Sequence, residues 1–411
     1  MPEMKSSKTY REKAKKALEK PAAFGTDIDL KDYETSGEEQ SPWKDPSDIP
    51  ARTRERMLQA GIELGDTSKR SGTYVQMDNN PVLSSITGEG VEVMPVSQAM
   101  DKYDWLSDYW WRAVDVATDK YTASVEMGGS DGYFIRALPG QKAVYPVQAC
   151  LYMAKAKLAQ NVHNIVIAEE GSEIDIITGC TTASGEDPGL HMGVSEFYIK
   201  KGAKVTFTMI HSWNPAVAVR PRTGIVVEED GLYLSNYVLM KPVHSLQMYP
   251  SAWCIGENAA VRYNSILVAS EGSSLDVGSK TFLNARGSKT EVISRAITTG
   301  GNIIARGYIE GDAPEVKGHL ECRGLILQGN GSIHAIPELK GNLAGIDLSH
   351  EAAVGKIAEE EVEYLMARGL TRNEATSTIV RGFLRVDIKG LPPMLGAEIE
   401  RTIEASEKEM M

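Results

Sequence analysis

Residues 257–283, ENAAVRYNSILVASEGSSLDVGSKTFL, and residues 287–309, GSKTEVISRAITTGGNIIARGYI, decide the fold. Both contain short β-rich runs separated by turns of glycine and small polar residues, with no helical pattern between them. Such runs begin near Thr122 and continue for about 200 residues. Turn triplets recur as Glu-Gly-Ser at 170–172, Lys-Gly-Ala at 201–203, Glu-Gly-Ser at 271–273 and Arg-Gly-Ser at 286–288. The recurrence favours a stacked β-solenoid, with a sandwich or barrel as the alternative.

The composition describes an acidic chain that is long enough for two or three domains. It has 411 residues, a net charge of −12 and a pI near 5.3. This charge balance argues against nucleic acid or an anionic membrane as the main partner. No apolar run approaches the ~18 residues of a membrane-spanning helix, and the polar N-terminal segment lacks an apolar signal core. We therefore expect a cytoplasmic protein without a membrane span.

Helical patterns precede the β-rich part. A first helix is predicted over residues 9–19, because Pro21 ends it. A second begins near Pro50, since proline suits the first turn of a helix. Residues 97–118 predict a third helix, whose tryptophans would pack on the main body.

Helical patterns also follow the β-rich part. After Ile346 the pattern becomes helical, and Thr371 with Glu374 forms a capping box for one of the helices. A last amphipathic helix is predicted over residues 395–406. The chain therefore divides into an N-terminal helical region (1–121), a parallel β-helix core (122–346) and a C-terminal helical domain (347–411).

Residues 318–351, GHLECRGLILQGNGSIHAIPELKGNLAGIDLSHE, are chemically the richest stretch. They include Cys322, His350 and Glu351. A thiol, an imidazole and a carboxylate together suit a soft metal or the handling of sulfur. A free cysteine is also commonly a small buried core residue, and this alternative stays open for Cys322 on residue type alone.

The remaining cysteines and histidines carry weaker signals. None of the four cysteines belongs to a CxxC pair, which argues against a zinc knuckle, and their wide spacing argues against a disulfide framework. Cys150 and Cys254 lie in apolar surroundings and are interpreted as core residues. His191 and His211 could be functional or simply part of turns and strands, whereas His163 is interpreted as structural.

From about Tyr145 to Ile388 the chain resembles the SufB/SufD family of iron–sulfur cluster assembly proteins. The resemblance rests on PVQ at 146–148, GCT at 179–181, KGA at 201–203, SKTFLNARGSKTEVISRAI at 279–297, ECRGLIL at 321–327, HAIPEL at 334–339, SHEAAVGKI at 349–357 and IVRGF at 379–383. It implies a right-handed parallel β-helix that is flanked by N- and C-terminal helical domains.

The resemblance also implies roles for individual residues. Cys322, in LECRGL, matches a cysteine proposed as a cluster ligand and sulfur terminus, and Glu351, in SHEA, matches the acid beside it. His350 matches the histidine that SufD-type subunits contribute at this place. Cys180 matches the cysteine proposed to receive sulfur, and Trp213 lies in the segment thought to line the path between the two cysteines.

The chain departs from the family pattern at several places. Tyr152 and Ala154 stand where SufB-type chains tend to have Arg and Asn, and His211 stands in place of a Gln. These departures argue either against an internal sulfur path or for a path that is lined differently. The chain also combines the SufB-like Cys322 and Glu351, which SufD-type chains often lack, with His350. One gene product could therefore supply every ligand type twice in a homodimer.

The implied function is a scaffold on which a transient 2Fe-2S or 4Fe-4S cluster is built at a subunit interface. The implied partners are a SufC-like ABC-type ATPase docking on residues 355–411, a second copy of the chain or a SufD-like paralogue, a cysteine desulfurase system as sulfur donor, and acceptor apo-proteins. The chain has no GxxxxGK[ST] phosphate loop, so it is expected to bind no ATP and not to be an enzyme itself.

The sequence leaves two alternatives to a scaffold. A SufD-like structural adaptor would perform no cluster chemistry of its own, although the presence of both Cys322 and Glu351 argues against it. A β-helix carbohydrate-active enzyme would need a cluster of carboxylates in an open groove. The acidic residues of this chain are scattered instead, which makes the enzyme the weaker alternative.

Overall fold

The computed structural model describes residues 5–37, 41–43, 48–129, 131–183, 185, 187–327 and 329–384. The helices are α1 (Lys5–Ala17), α2 (Ala51–Gln59), α3 (Val96–Lys102), α4 (Lys120–Gly128), α5 (Glu359–Met366) and α6 (Arg372–Leu384). The strands up to residue 227 are β1 (Gly72–Met77), β2 (Asn80–Ile86), β3 (Val91–Pro95), β4 (Tyr133–Ala137), β5 (Val147–Met153), β6 (Ala159–Ala168), β7 (Glu173–Thr182), β8 (Gly189–Ile199), β9 (Lys204–Ser212), β10 (Val217–Val219) and β11 (Arg222–Val227). The later strands are β12 (Leu232–Leu239), β13 (Ser245–Met248), β14 (Ser251–Cys254), β15 (Ala260–Ser270), β16 (Ser274–Leu283), β17 (Lys289–Thr299), β18 (Asn302–Gly311), β19 (Lys317–Ile326), β20 (Ser332–Gly341) and β21 (Asp347–Gly355).

The strands form a parallel β-solenoid of about eight turns, which confirms the predicted fold class. The first sheet has the order β2-β1-β5-β7-β9-β12-β15-β17-β19-β21. The second sheet faces it and contains β3, β4, β6, β8, β10, β11, β13, β14, β16, β18 and β20. Most strands pair in parallel, and the antiparallel pairs β1–β2 and β3–β4 lie at the N-terminal end of the stack.

The recurring turn triplets lie where the chain passes from the second sheet to the first or back. Gly171 and Gly287 occupy the left-handed region with φ of 68° and 67°, and Gly202 and Gly272 do the same. Glycine adopts this conformation without the steric penalty of a Cβ atom. This explains why a small-residue corner recurs in the sequence from turn to turn.

Apolar side chains fill the interior between the two sheets, and helices cover parts of their outer faces. Met57 of α2 and Val380 of α6 are buried with the outward residues of the first sheet, such as Ile210. Ala14 of α1 and Tyr121 of α4 belong to a cluster on the outer face of the second sheet. The terminal helices thus pack on the solenoid, and none of the helices in the described ranges is long and apolar enough to span a membrane.

The structure corrects several predicted boundaries. The region 1–121 is not purely helical, because β1, β2 and β3 belong to the two sheets. Residues 97–118 do not form one helix: α3 ends at Lys102 and a 3₁₀ helix covers Asp104–Tyr109. Strand β21 runs past the predicted end of the core at 346, because it completes another rung on β19. The division of the chain into three domains itself stays a prediction.

The C-terminal helices follow the prediction in part. Thr371 and Glu374 form the predicted capping box: the Thr371 N–H donates to Glu374 Oε2 at 2.7 Å, and the Glu374 N–H donates to Thr371 Oγ1 at 3.3 Å. This reciprocal arrangement satisfies backbone donors at the start of α6. The predicted helix at 395–406 lies outside the described residues.

Candidate functional site

Cys180 and Cys322 both face the interior of the solenoid from the first sheet. Cys180 is 1% exposed on β7, and Cys322 is 3% exposed on β19. Partners in a parallel ladder point to the same face, so each cysteine belongs to an inward row of side chains along the stack. The Cys322 row contains Thr178, Met209, Tyr237, Ser265, Ser294 and Cys322. The neighbouring row contains Cys180, His211, Leu239, Leu267, Ala296 and Gly324.

The two cysteines are five strand spacings apart, because β9, β12, β15 and β17 lie between β7 and β19. At ~4.8 Å for each spacing, this separation is roughly 24 Å. Direct attack of one sulfur on the other requires contact at about 3–3.5 Å. The two thiols therefore cannot react with each other directly in this arrangement.

A polar cluster, named the Cys180 site, surrounds the first cysteine and consists of Cys180, His191, His211, Trp213 and Tyr237. His211 lies directly opposite Cys180 on the adjacent strand β9. The His211 Nδ1 atom is 2.8 Å from the Tyr237 hydroxyl. The indole of Trp213 lies 5.0 Å from the His191 ring and 5.5 Å from the His211 ring, measured between centroids. The predicted site residues Cys180 and Trp213 thus belong to one buried cluster.

Burial keeps the Cys180 site electrically neutral. It lowers the pKa of His191 to about 3 and places the pKa of His211 well below its ordinary value. Burial also raises the pKa of the Cys180 thiol well above its usual range. The Nε2 atom of His211 and the indole Nε1 of Trp213 have no hydrogen-bond partner in the described protein. Such buried polar atoms ordinarily have a partner, and a small polar guest or water would supply one.

A small cavity of about 50 Å³ lies in the interior between the two cysteines. Its walls include Tyr237 of the Cys180 site and Ser294, which lies opposite Cys322 on the adjacent strand. The hydroxyls of Tyr263 and Ser279 also line it and have no protein partner among the described residues. A row of hydroxyl groups therefore leads through the apolar core from the Cys180 site towards Cys322.

Cys322 points into the solenoid from β19. Its two neighbours in this strand, Glu321 and Arg323, point outwards and are charged. The Glu321 carboxylate forms ion pairs with Arg295, at 2.7 Å from Nη2, and with Arg323, at 2.8 Å from Nε. Burial is the main reason why the pKa of Cys322 is raised to about 11. The charge of Arg295 lowers this pKa and the charge of Glu321 raises it, both by smaller amounts. The thiol is therefore protonated at neutral pH, and a metal ion that binds it has to displace the proton.

His350 and Glu351 lie on β21, the last strand of the first sheet in the part of the chain that the structure describes. His350 pairs with Leu320, which places it on an inward row beside that of Cys322. Glu351 pairs with Glu321 on the outer face, and its Oε1 atom is 3.2 Å from Arg323 Nη2. Within one chain, Cys322 and Glu351 therefore lie on opposite faces of the sheet. No three His, Cys, Asp or Glu side chains of the described residues converge on a common point.

The sequence did not predict that Tyr237, Ser265 and Ser294 lie in the same inward row as Cys322. These positions recur every 28 or 29 residues and end at Cys322. One turn of the solenoid has this length, so the spacing was a usable signal. The sequence left the role of His191 open, and the structure places this residue in the Cys180 site.

The burial of His191 predicts a specific acid sensitivity of the fold. Below pH ~6.5 the unfolded chain binds a proton that the folded chain excludes until about pH 3, so stability falls as the pH drops through this window. We expect His191→Gln to reduce this slope by about 1 kcal/mol per pH unit. Urea unfolding at several pH values measures it. The control His334→Gln, at an exposed histidine, should keep the wild-type slope, and an unchanged slope in His191→Gln would contradict the assignment.

The thiols and imidazoles of the described residues lie in the interior of the solenoid, whereas a carbohydrate-active β-helix would need a pair of carboxylates in an open groove. The family model described as "SUF system FeS cluster assembly, SufBD core domain" matches residues 151–383. The chain belongs to this SufBD family.

Similar curated proteins bear the same family name. An iron–sulfur cluster assembly SufBD family protein of Methanothermobacter thermautotrophicus is 49% identical over 405 residues, covering 97% of this chain and 98% of the relative. A protein of that name from Archaeoglobus fulgidus is 54% identical over 358 residues, covering 87% and 96%. A relative from Staphylococcus epidermidis is 29% identical over 373 residues, covering 87% and 78%. The resemblance stated from the sequence motifs is thereby confirmed.

Proposed function

We propose that this protein is a scaffold that receives sulfur and iron and releases a finished iron–sulfur cluster. The observation that carries this proposal is the pair of interior cysteines with a cavity between them, whose walls are mostly apolar and include several hydroxyl-bearing residues. Membership of a cluster assembly family supports the same role. The cluster is cargo in this proposal and not a resident cofactor.

Sulfur enters at Cys180 and leaves at Cys322. A persulfide on Cys180 can hand its outer sulfur to another thiol, which forms one S–S bond, breaks another and leaves the oxidation level unchanged. Release as sulfide instead consumes two electrons from a reductant. Roughly 24 Å separates the two cysteines, and no thiol lies in the row between them, so direct transfer to Cys322 is excluded. In this proposal an external dithiol reduces the Cys180 persulfide, becomes a disulfide and leaves the Cys180 thiol, and the released sulfide crosses the interior and joins iron at Cys322 without a further change of oxidation level. The neutral His211 ring leaves its Nε2 atom without a partner in the described protein, so this atom is available to hydrogen-bond the sulfur species.

Iron is bound at the open end of the solenoid. Cys322 supplies the thiolate, His350 lies on the neighbouring inward row one strand further, and Glu351 lies on the outer face. One chain does not bring the three together, so a complete ligand set needs a second subunit. Among the described residues, strands β20 and β21 are the last strands of their sheets, and each has a strand partner on one side only, so they can offer edges to a second subunit. In a two-fold dimer both copies would present the same edge and the same ligands.

The ATPase partner docks on the C-terminal helices. Helices α5 and α6 are connected by a paired Arg372–Glu359 contact in which both guanidinium nitrogens lie 2.6 Å from the carboxylate oxygens. Tyr364 and Met366 of α5 are exposed by 57% and 40%. Exposed apolar side chains on a helical appendage suit a partner surface. ATP-driven movement of the partner would reach the solenoid end through α5 and α6.

Anaerobic incubation of the wild-type protein with ferrous iron and a sulfide source tests the proposal. We expect a charge-transfer absorbance and an EPR signal after reduction, followed by transfer of the cluster to an apo-acceptor. The same sample, analysed by light scattering, should contain a dimer. A cluster that stays bound despite excess acceptor would indicate a resident cofactor. Failure to form any cluster, with or without the ATPase partner, would favour a structural adaptor.

A further inference from the structure

The hydrogen bonds around the Cys180 site fix the tautomer of His191. The Gln160 side chain donates from Nε2 to the backbone carbonyls of Asp78 and Tyr152, at 2.7 and 3.2 Å. Its Oε1 atom therefore faces His191 and lies 2.8 Å from Nδ1 of that ring. An amide oxygen can only accept, so the His191 ring carries its proton on Nδ1. The Nε2 atom of this neutral ring is an acceptor and cannot donate.

His211 has the opposite tautomer. Its Nδ1 atom lies 2.8 Å from the Tyr237 hydroxyl and is the one acceptor that this hydroxyl has among the described residues. If Tyr237 donates, only the Nε2–H group of His211 is left without a partner. If the ring donated instead, both the phenol proton and the Nε2 lone pair would be left unpaired. Unpaired buried polar groups cost free energy, so the first arrangement is favoured, and His211 carries its proton on Nε2.

Two buried N–H groups of the Cys180 site thus lack an acceptor. The His211 Nε2 atom and the Trp213 Nε1 atom have no partner in the described protein, and the two rings are 5.5 Å apart between centroids. His211 lies directly opposite Cys180 in the ladder of β7 and β9. A group with lone pairs that is attached to Cys180 would supply the missing acceptor. The outer sulfur of a persulfide is such a group, and an anionic sulfur in an apolar interior needs N–H donors.

Tyr237 joins this site to the interior cavity. Its side chain forms part of the cavity wall, while its hydroxyl is bonded to His211. Burial and, by a smaller amount, the charge of Cys180 raise the pKa of Tyr237 well above its usual range. The phenol therefore keeps its proton at neutral pH and remains a donor. Burial also lowers the pKa of His211, with a smaller contribution from His191, so the ring stays neutral and keeps a single proton.

We propose that Tyr237 is a positioning residue for the receipt of sulfur. It holds His211 in the tautomer whose Nε2–H, together with the Trp213 indole N–H, donates to the outer sulfur of a Cys180 persulfide. This role rests on the proposed function, in which sulfur enters at Cys180. His191, which is held in the opposite tautomer, cannot take over as the donor.

Persulfide formation on the full-length protein tests this role. The protein is treated anaerobically with sodium tetrasulfide, and in parallel with a cysteine desulfurase and cysteine. The Cys180 thiol attacks a sulfane sulfur of the tetrasulfide, so that one S–S bond forms, one breaks, a trisulfide dianion leaves and the proton moves to the outer sulfur. Alkylation and mass spectrometry measure the persulfide and its lifetime after the reagent is removed.

Tyr237→Phe keeps the aromatic ring but releases the tautomer of His211. We expect the lifetime of the Cys180 persulfide to fall about fivefold, which corresponds to the loss of one hydrogen bond. The matched control is Tyr308→Phe, which removes a hydroxyl that donates to Glu310 on the second sheet. Its persulfide should last as long as that of the wild type.

A second substitution and a spectroscopic measurement separate positioning from folding. His211→Gln offers an amide N–H that does not depend on a tautomer, so Tyr237→Phe added to this variant should not shorten the lifetime further. Nitrogen NMR spectra of isotope-labelled histidine read the His211 tautomer: we expect Nε2–H in the wild type and a mixture in Tyr237→Phe.

The outcomes distinguish this role from the proposed function. A wild-type His211 ring protonated at Nδ1, or an equal persulfide lifetime in Tyr237→Phe and wild type, would overturn the role of Tyr237 and leave sulfur entry at Cys180 intact. A wild-type protein that forms no persulfide at Cys180 with either reagent would overturn sulfur entry and the role of Tyr237 together.

Discussion

Cys322→Ala is expected to lose at least ~90% of the iron that the wild-type protein retains after anaerobic reconstitution, because thiolates are the ligands that hold iron–sulfur clusters. Among the four cysteines, Cys322 alone lies on the last turns of the solenoid, near the open end where a second subunit can add ligands. Its neighbours Ser294 and Ala352 in the row supply no replacement thiol. Iron and sulfide content per chain, together with the EPR signal, measures the loss.

The matched control for this experiment is Cys150→Ala. Cys150 is also buried in the first sheet, but it belongs to the apolar cluster on the outer face. Its loss should leave cluster content unchanged and show that removing a buried thiol is harmless by itself. If the wild-type protein and Cys322→Ala retained equal amounts of cluster, the cluster would have to be bound by another residue. If an ATPase docks on α5 and α6 as proposed, its binding should survive in both variants, since neither substitution touches these helices.

Glu196→Ala is expected to destabilise the fold strongly, with a loss of about 4 kcal/mol or more in the free energy of unfolding. The Glu196 carboxylate accepts three backbone N–H groups, the His163 ring and the Tyr198 hydroxyl, and it is fully buried. Alanine leaves the three N–H groups and the His163 ring without this acceptor, whereas the Tyr198 hydroxyl keeps the Tyr109 carbonyl at 2.7 Å. Each unsatisfied buried donor costs about 1–3 kcal/mol. The midpoint of urea unfolding, followed by circular dichroism, measures the change.

Glu196→Gln refines the same prediction. Glutamine retains one oxygen acceptor but presents an NH₂ group to donors, so we expect an intermediate loss of about 2 kcal/mol. Glu228→Gln, at a partly exposed surface pair with Lys200, should change stability by less than about 1 kcal/mol. If Glu196→Ala unfolds at the wild-type urea concentration, the carboxylate does not organise the segment around Trp111.

The solenoid could be predicted from the sequence because its turns repeat a small-residue corner, and the structure places glycines with positive φ there. The N-terminal strands were missed since β1 to β3 are short, lie among helices and acquire their partners only when the stack forms. The single helix predicted over residues 97–118 is absent for a similar reason. The backbone N–H groups of Trp111, Ala113 and Val114 donate to the carboxylate of Glu196, which lies far along the chain. These hydrogen bonds stabilise an irregular conformation in place of a helix.

The sequence was sufficient to name the candidate site residues. It was not sufficient to predict how their side chains are arranged relative to one another. Neighbours in a strand alternate between faces, so His350 and Glu351 cannot both point towards Cys322 from one strand. The sequence pattern after residue 346 predicts helices. In a helix, neighbouring side chains do not alternate between two faces, so the prediction did not show that His350 and Glu351 point in opposite directions. The Cys180 site needed the register as well, because only pairing of β7 with β9 brings His211 opposite Cys180.

The two ends of the stack are unlike in the described part of the chain, and this difference bears on the proposed dimer. At the N-terminal end, β2 runs antiparallel and carries Pro81, and the carbonyl of Val82 already accepts the Trp43 N–H. The C-terminal strands β20 and β21 have no such cover in the described chain. A rod with two adhesive ends would grow into a fibre. If two copies pair through β20 and β21 as proposed, a rod with one adhesive end stops growing after a single union, and the asymmetry would make assembly self-limiting.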